Sequence, residues 1–598
     1  MSNAIELEHN ADLLHRKYLE ERDKRLRAEG RDQYIGVEDR YAKYAEDPYV
    51  APGFTRDSVV EDTDVLVVGG GFSGLLTANA LLKEGIGNFR IIEKAGDFGG
   101  TWYWNRYPDC RCDVESYIYL PLIEDFGDMP KEKYARSSAI FEHAKKIGRE
   151  LKLYDRTYFQ TGVTKVQWDD VAGRWIVETD RNDIIRARFV CLGSGPLHRP
   201  KLPGILGIEK FKGHSFHTSR WDYEYTGGDE TGNMTGLRDK RVAVIGTGAT
   251  GVQCIPPLAK SAQHLYVVQR TPAAVDARNN RPTDPHWWDS LRPGWWERRA
   301  ANFDGFLAGI PQAEDLVADG WTTIWAKFAE AARTSQDTSD DQLTVAQLVD
   351  YEKMGDIRAR IDSIVEDPEI AEALKPWYNW FCKRPLFHDG YYETFNRKNV
   401  TLINTDGRGL DEVTENAIVF DGKSYEVDCL VFASGFEIGA SASRIGGFDL
   451  LGRKGLTLDQ KWQGKRQTLH GMFVRDFPNL GIIAGVKHAT TTWNVTYMLR
   501  KQAEHFAAVV KYCVTNDISV FDVAERAELS WGKTIAEKST LNRKFQAECT
   551  PGYYNNEGKD PEQSIFGSVY GGGPFEYFKV IEDWMKQGID QDLEVTKK

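Results

Sequence analysis

Apolar residues along this chain gather in short, nearly unbroken runs separated by polar, glycine-containing turns. Val65-Leu66-Val67-Val68, Phe89-Arg90-Ile91-Ile92, Phe189-Val190-Cys191-Leu192, Val242-Ala243-Val244-Ile245, Leu265-Tyr266-Val267-Val268 and Cys429-Leu430-Val431-Phe432 are the clearest. Runs of this length and β-branched content predict strands buried on both faces, as in a parallel sheet. Helical spacing appears elsewhere. Leu7, Ala11, Leu14 and Tyr18 are spaced four, three and four and predict a short amphipathic helix. From 276 to 375 the chain is rich in Trp, Ala and charge with no alternation, which predicts helices. Its clustered tryptophans 287, 288, 295 and 296 read as packing of that segment rather than as a substrate entrance.

Two of the strand runs lead directly into glycine fingerprints. These are Gly69-Gly70-Gly71-Phe72-Ser73-Gly74 and Gly246-Thr247-Gly248-Ala249-Thr250-Gly251. Strand, G-x-G-x-x-G turn and helix start form a dinucleotide cradle, because the glycines let the backbone approach a pyrophosphate at the helix N-terminus. Two cradles imply two dinucleotides bound together, a flavin and a nicotinamide. Glu93 ends the strand after the first, where a carboxylate suits the unphosphorylated ribose of FAD. Arg270 ends the strand after the second, where a guanidinium suits a 2′-phosphate and selects NADPH over NADH.

The expected fold is α/β, with two Rossmann-like dinucleotide-binding domains, a helical insertion and an N-terminal extension. The pattern divides the chain into an extension (1–54), a first part of the FAD domain (55–204), an NADP domain (205–427) carrying the insertion 276–375, and a second FAD part with a C-terminal active-site loop (428–598). Asp428–Phe436 reads as the strand and turn that return the chain to the FAD fold. A net charge of −13 without a basic stripe argues against nucleic acid. No apolar stretch is long enough to span a membrane, and the N-terminus lacks a signal-peptide core. Eight scattered cysteines suggest reduced thiols and a cytoplasmic protein, and Cys110-Arg111-Cys112 reads as small buried hydrophobes. His214 and His217 have no ligand cluster around them, so no metal is expected.

Between the fingerprints, Phe211-Lys212-Gly213-His214-Ser215-Phe216-His217-Thr218-Ser219-Arg220-Trp221-Asp222 fits F-x-G-x-x-x-H-T-x-x-W-D and resembles the signature of the type I Baeyer–Villiger monooxygenases. Gly99-Gly100-Thr101-Trp102-Tyr103-Trp104-Asn105-Arg106-Tyr107-Pro108, followed by Asp113, also resembles that family, although Asp109 stands where a small residue or Met is usual. The resemblance runs from about residue 60 to the C-terminus. It implies an NADPH- and O₂-dependent flavoenzyme that inserts an oxygen atom beside the carbonyl of a cyclic or bulky ketone, giving an ester or lactone.

The resemblance implies FAD contacts from Gly69, Gly71, Phe72, Ser73, Gly74, Glu93, Thr101, Trp102, Tyr103, Trp104, Asp113, Tyr119 and Val163. It implies NADP contacts from Arg111, Cys112, Thr247, Gly248, Ala249, Thr250, Gly251, Val252, Gln253, Arg270, Thr271, Lys383 and Arg384. Arg384, in Phe381-Cys382-Lys383-Arg384-Pro385-Leu386, corresponds to the family's catalytic arginine, with Asp113 as the acid that pairs with it. Oxygen insertion develops negative charge on oxygen, which a fixed, permanently protonated guanidinium stabilises. His217 and Trp221 read as a hinge between the domains. Thr550, near a position where the family often has Trp, implies a wider cavity like that of members accepting large-ring or polycyclic ketones.

Two other classes stay open. One is a flavin-containing monooxygenase acting on amine or sulfide heteroatoms, a group that usually lacks the Thr and Trp-Asp of the longer signature. The other is a nonoxygenating FAD/NADPH reductase or redox-sensing binding protein, without the C-x-x-C of a disulfide reductase.

Overall fold

The computed structural model describes residues 10–597, except 127, 335–338, 439–440, 464–465, 484–487, 491 and 560–567. Two sheets organise it. The first runs in the order 449–451, 163–169, 174–179, 184–192, 60–68, 89–92, 157–158, with 480–482 added beside 184–192. Val60–Val68 lies parallel to both Phe89–Ile92 and Ile184–Leu192. Val65, Leu66 and Val67 are fully buried, as a central strand covered on both faces requires. The second sheet is parallel throughout, in the order 400–404, 264–269, 241–245, 429–432, 214–217.

Each fingerprint sits where a helix leaves a central strand. Gly69 and Gly246 adopt φ of 111° and 112°, which a side chain would strain. A Cβ on Gly74 or Gly251 would lie 1.9 and 2.3 Å from the carbonyl oxygens of Gly69 and Gly246, so only glycine lets the helices Phe72–Lys83 and Ala249–Ser261 start this close to their strands.

Three features differ from the sequence-based expectation. Cys429–Phe432 pairs with Arg241–Ile245 and His214–His217, so it belongs to the second sheet, and the return to the first fold comes after it. An apolar run specifies burial between layers but not which sheet receives it. Cys382 and Cys549, 167 residues apart, form a disulfide, while the other six cysteines are free and buried. Spacing along the chain carries no sign of this pairing, and the expectation of eight reduced thiols is corrected accordingly. Thr550 is buried and lines a second cavity of about 530 Å³.

The extension begins with the helix Ala11–Asp23, its first turn capped by the Asn10 side chain, which accepts from the Leu13 amide at 3.1 Å. Leu14 and Tyr18 are buried against Tyr351 and Trp377; Leu7 lies outside the described residues. The insertion is helical, over 285–289, 295–307, 320–334, 339–364 and 368–374. Trp296 is buried, and Trp288 and Trp295 pack edge to face 5.4 Å apart, so these tryptophans serve packing. Among the described residues, no helix is long and apolar enough to cross a membrane.

Candidate functional site

The second fingerprint, residues of the 101–119 segment of the first fold, the Lys383-Arg384 pair and the C-terminal loop meet around one cavity of about 820 Å³. Thr101, Trp102, Arg111, Cys112, Asp113 and Tyr119 line it from the first fold. Thr247, Gly248, Ala249, Thr250, Gln253, Arg270 and Thr271 line it from the second, and Lys383 and Arg384 complete it. Gly248 has no atom within 4 Å of a would-be Cβ, so the second glycine turn opens freely onto this space, as a cradle for a pyrophosphate must. Gly71 and Gly100 approach so closely that a Cβ on Gly100 would come 2.8 Å from the Gly71 Cα.

Other expected residues lie behind the wall. Phe72 packs on Tyr119 with ring centroids 6.2 Å apart, and Trp102 Nε1 donates to the Tyr119 hydroxyl at 3.0 Å. Gly69, Ser73, Gly74, Gly251 and Val252 form the strand–turn–helix backbone itself, and Val163 begins an antiparallel strand of the first sheet. Glu93 receives the backbone N–H of Gly70 and, at 2.7 Å, that of Ala95, so its carboxylate holds the first glycine turn. Tyr103 and Trp104 turn toward the extension. The Tyr103 hydroxyl donates to Asp47 at 2.7 Å, and the Arg220 guanidinium lies 3.8 Å over the Trp104 ring.

The signature segment joins three parts of the molecule. His217 ends a strand of the second sheet opposite Phe432 and is fully buried, with Nδ1 2.8 Å from Ser219 Oγ. Burial and the nearby Arg220 push its pKa down to about 3, so the ring is neutral at physiological pH. Arg220 donates to the carbonyls of Glu46 in the extension at 3.0 Å and His198 at 3.2 Å. Trp221 is buried, with Nε1 3.2 Å from Thr226 Oγ1.

Asp113 departs from expectation. Its carboxylate pairs with Arg278 at 2.7 Å, both side chains being buried, and not with Arg384. Val275–Asp276 and Leu386–Phe387 pair as parallel strands, bringing two arginines 106 positions apart in sequence to the same region, and chain packing places Arg278 at the carboxylate. Arg384 instead lies among aromatic rings, 5.2 Å from the centroid of Trp321 and 5.4 Å from that of Trp493, close enough to feel the Asp113 charge. Trp321 Nε1 donates to the Asp113 carbonyl at 2.9 Å. Arg278, Trp321 and Trp493 carry no motif signal. Only the Trp and Arg content of the surrounding segments hinted at them.

Gln253, at the start of the second nucleotide helix, grips the first fold. Its side chain accepts from the Tyr107 hydroxyl at 3.0 Å and exchanges hydrogen bonds with the backbone of Arg111 at 3.2 and 3.0 Å. Asp109, the residue that breaks the motif, is a hub. It adopts a left-handed φ of 61° and receives Arg111 at 3.1 Å, Arg136 at 3.0 Å and His388 at 3.2 Å. Burial works against its charge, but His388 and Arg111 outweigh that and pull its pKa down to about 2. A folded-state pKa below the unfolded value contributes stability above about pH 4 that is lost as pH falls through about 2. Asp109→Asn, which tolerates the left-handed backbone, is therefore expected to lower stability by about 2 kcal/mol at pH 7. Guanidinium titrations should show the gap from wild type narrowing between pH 4 and pH 2, and a gap independent of pH would show that the charge is not its source.

Among the described residues, no group of three His, Cys, Asp or Glu side chains is placed to hold a metal ion. Burial pushes the Cys110 and Cys112 thiols up to about 12, so they are inert at neutral pH.

A family model described as flavin-binding monooxygenase-like matches residues 62–289. The neopentalenolactone D synthase of Streptomyces avermitilis is 47% identical over 97% of this chain and 98% of its own. The Baeyer–Villiger monooxygenase ATR8 of Stachybotrys chlorohalonatus is 45% identical over 96% of this chain and 93% of its own. The chain belongs to the Baeyer–Villiger monooxygenases. The solved polycyclic ketone monooxygenase of Thermothelomyces thermophila superposes with a TM-score of 0.91 at 36% identity, covering 98% of both chains. Solved structures that match the chain hold FAD and NADP. As a Baeyer–Villiger monooxygenase this is an FAD-containing, NADPH-dependent enzyme, and the α/β architecture with two nucleotide folds is that of its relatives.

Proposed function

We propose that this monooxygenase inserts one atom of O₂ beside the carbonyl of a bulky cyclic ketone, giving a lactone, in the cytoplasm where NADPH is supplied. The observation that carries the reading is the cavity lined together by the second glycine cradle, by Thr101 and Trp102 of the first fold, by Arg384 and by the C-terminal loop. FAD, when bound, would supply the redox chemistry that links NADPH to O₂. The first cradle would hold the flavin dinucleotide together with Thr101, Trp102 and Tyr119, and Glu93 braces the Gly70 turn. The second cradle holds NADP, with Arg270 and Lys383 at the 2′-phosphate. Gln253 ties the two cradles together, and the His217–Trp221 segment links the second sheet to the extension.

Arg384 presents its charge where oxygen becomes negative. Asp113 acts on it at one remove, as a positioning group locked by Arg278. Trp321 and Trp493 exclude water around the guanidinium, which strengthens its field. The six free buried thiols suit a reducing compartment, and the one disulfide joins buried segments. A bulky substrate is suggested by relatives named for polycyclic ketone and pentalenolactone chemistry.

The test is incubation of the FAD-loaded protein with NADPH and a mixed panel of fused-ring ketones, small cyclic ketones, amines and sulfides, with products identified by mass. Lactones from the fused-ring ketones are the expected result. Sulfoxides and N-oxides alone would move the protein to heteroatom oxidation, NADPH oxidation without any oxygenated product would leave a reductase, and turnover restricted to small rings would remove the bulky-ketone reading.

A further inference from the structure

At one end of the cavity the N-terminal extension and the C-terminal loop meet at Arg270. Tyr34–Gly36 pairs antiparallel with Lys201–Pro203, and the Gly204 amide donates to the Gln33 carbonyl at 2.9 Å. This small ribbon sets two extension side chains against the guanidinium. Arg270 Nη1 donates to Gln33 Oε1, and Nη2 donates to the Tyr34 hydroxyl at 3.1 Å. Lys201 Nζ lies 3.5 Å over the Tyr34 ring. Gln33, Tyr34, Lys201, Arg270, Lys383 and Glu557 all line the cavity.

The charges here do not balance. Glu557 is the carboxylate among Arg270, Lys201, Lys383 and Arg31, each of which feels it or is paired with it. It is 4% exposed and has a left-handed φ of 56°. Its Oε1 is 3.7 Å from Lys201 Nζ and its Oε2 is 3.9 Å from Arg270 Nη2, beyond hydrogen-bond reach, and Oε2 is buried without a hydrogen-bond partner. Lys383 donates to the Pro551 carbonyl at 2.8 Å, and burial together with Arg270 pushes its pKa down to about 7. Converging, partly buried basic side chains around one loosely held carboxylate form a site for a second, stronger anion.

We propose that Gln33 and Tyr34 of the N-terminal extension complete the pocket for the coenzyme's 2′-phosphate, and that Glu557 is the internal counter-ion the phosphate replaces. This rests on the reading of Arg270 as the 2′-phosphate ligand. Gln33 and Tyr34 act as positioning residues. They take two Arg270 donors on one side and aim the rest of the fork into the cavity, so the extension tunes coenzyme choice from outside either nucleotide fold. Glu557 neutralises the cluster before coenzyme arrives and competes with the phosphate for it.

Binding of NADP⁺, NAD⁺ and adenosine 2′,5′-bisphosphate to the FAD-loaded full-length protein, measured calorimetrically, separates the parts. Arg270→Ala should weaken NADP⁺ and the bisphosphate by roughly 10- to 150-fold and NAD⁺ little. Unchanged NADP⁺ binding by that variant would remove the underlying reading. Gln33→Ala and Tyr34→Phe should each weaken NADP⁺ by roughly two- to tenfold, with NAD⁺ unaffected. Glu557→Gln should tighten NADP⁺ and the bisphosphate by roughly fivefold, again sparing NAD⁺. With the Arg270→Ala loss in place, equal changes for NADP⁺ and NAD⁺ in the Gln33 and Tyr34 variants, or no tightening in Glu557→Gln, would overturn the proposal. NAD⁺ affinity and the flavin spectrum report whether each variant is folded.

Discussion

Arg384→Ala is expected to abolish lactone formation while NADPH still reduces the flavin. On the proposed reading, coenzyme is held by the second glycine cradle and the Arg270 end of the cavity, which are built by other segments. On the same reading, negative charge on oxygen is stabilised by the Arg384 guanidinium, which lies beside the mutually stacked Trp321 and Trp493 rings. Loss of one preorganised stabiliser of a developing oxyanion costs about 10²–10³ in rate. The variant should therefore oxidise NADPH and release hydrogen peroxide without oxygenated product. Arg384→Lys should not rescue it fully, because an ammonium lacks the planar fork of donors. Stopped-flow reduction and product yield, measured on the same preparation, check this. Normal lactone yield from Arg384→Ala would remove the residue from the chemistry.

Arg278→Ala should destabilise the protein by about 3–5 kcal/mol, because it leaves the Asp113 carboxylate buried without its partner. The two side chains are 4% and 7% exposed and 2.7 Å apart, so water has little access to the abandoned charge. Arg278→Ala with Asp113→Ala should cost much less than the sum of the single changes, since removing both charges removes the penalty. The transition followed by flavin release in urea reads the loss. Additive single and double effects would show that the pair is not a coupled unit. Oxygenation should fall with Asp113→Ala more than flavin reduction does, because the carboxylate stands close enough to Arg384 to shape its field.

Both expectations depend on which side chains meet, and much of that was beyond reach along the chain. The strands and cradles were legible because their signals are local. Val65–Val68 and Val242–Ile245 are buried runs that end in glycines, and the glycines are required by the positive φ of Gly69 and Gly246 and by the carbonyls facing Gly74 and Gly251. The helices of 276–375 follow from composition within the segment itself. Cys429–Phe432 was legible as a buried strand but not as a member of the second sheet, because both sheets accept the same apolar pattern.

The candidate site shows the same division. The approach of Lys383 and Arg384 to the nucleotide sites could be inferred by resemblance, and the fold brings both to the cavity that the second fingerprint lines. Asp113, with two arginines within its field, could be given its partner only by the pairing of Val275–Asp276 with Leu386–Phe387. Asp109 looked like a defect in a motif and is a hydrogen-bonding hub, because Arg136 and His388 arrive there from separate segments to join Arg111. The sequence by itself determined the main elements and the two glycine cradles, since these depend on residues within a few positions of one another. Tertiary structure alone decided the Asp113–Arg278 pair, the Cys382–Cys549 bond and the contact of Gln33 and Tyr34 with Arg270, since each joins residues more than 160 positions apart whose meeting is set by the packing of whole layers.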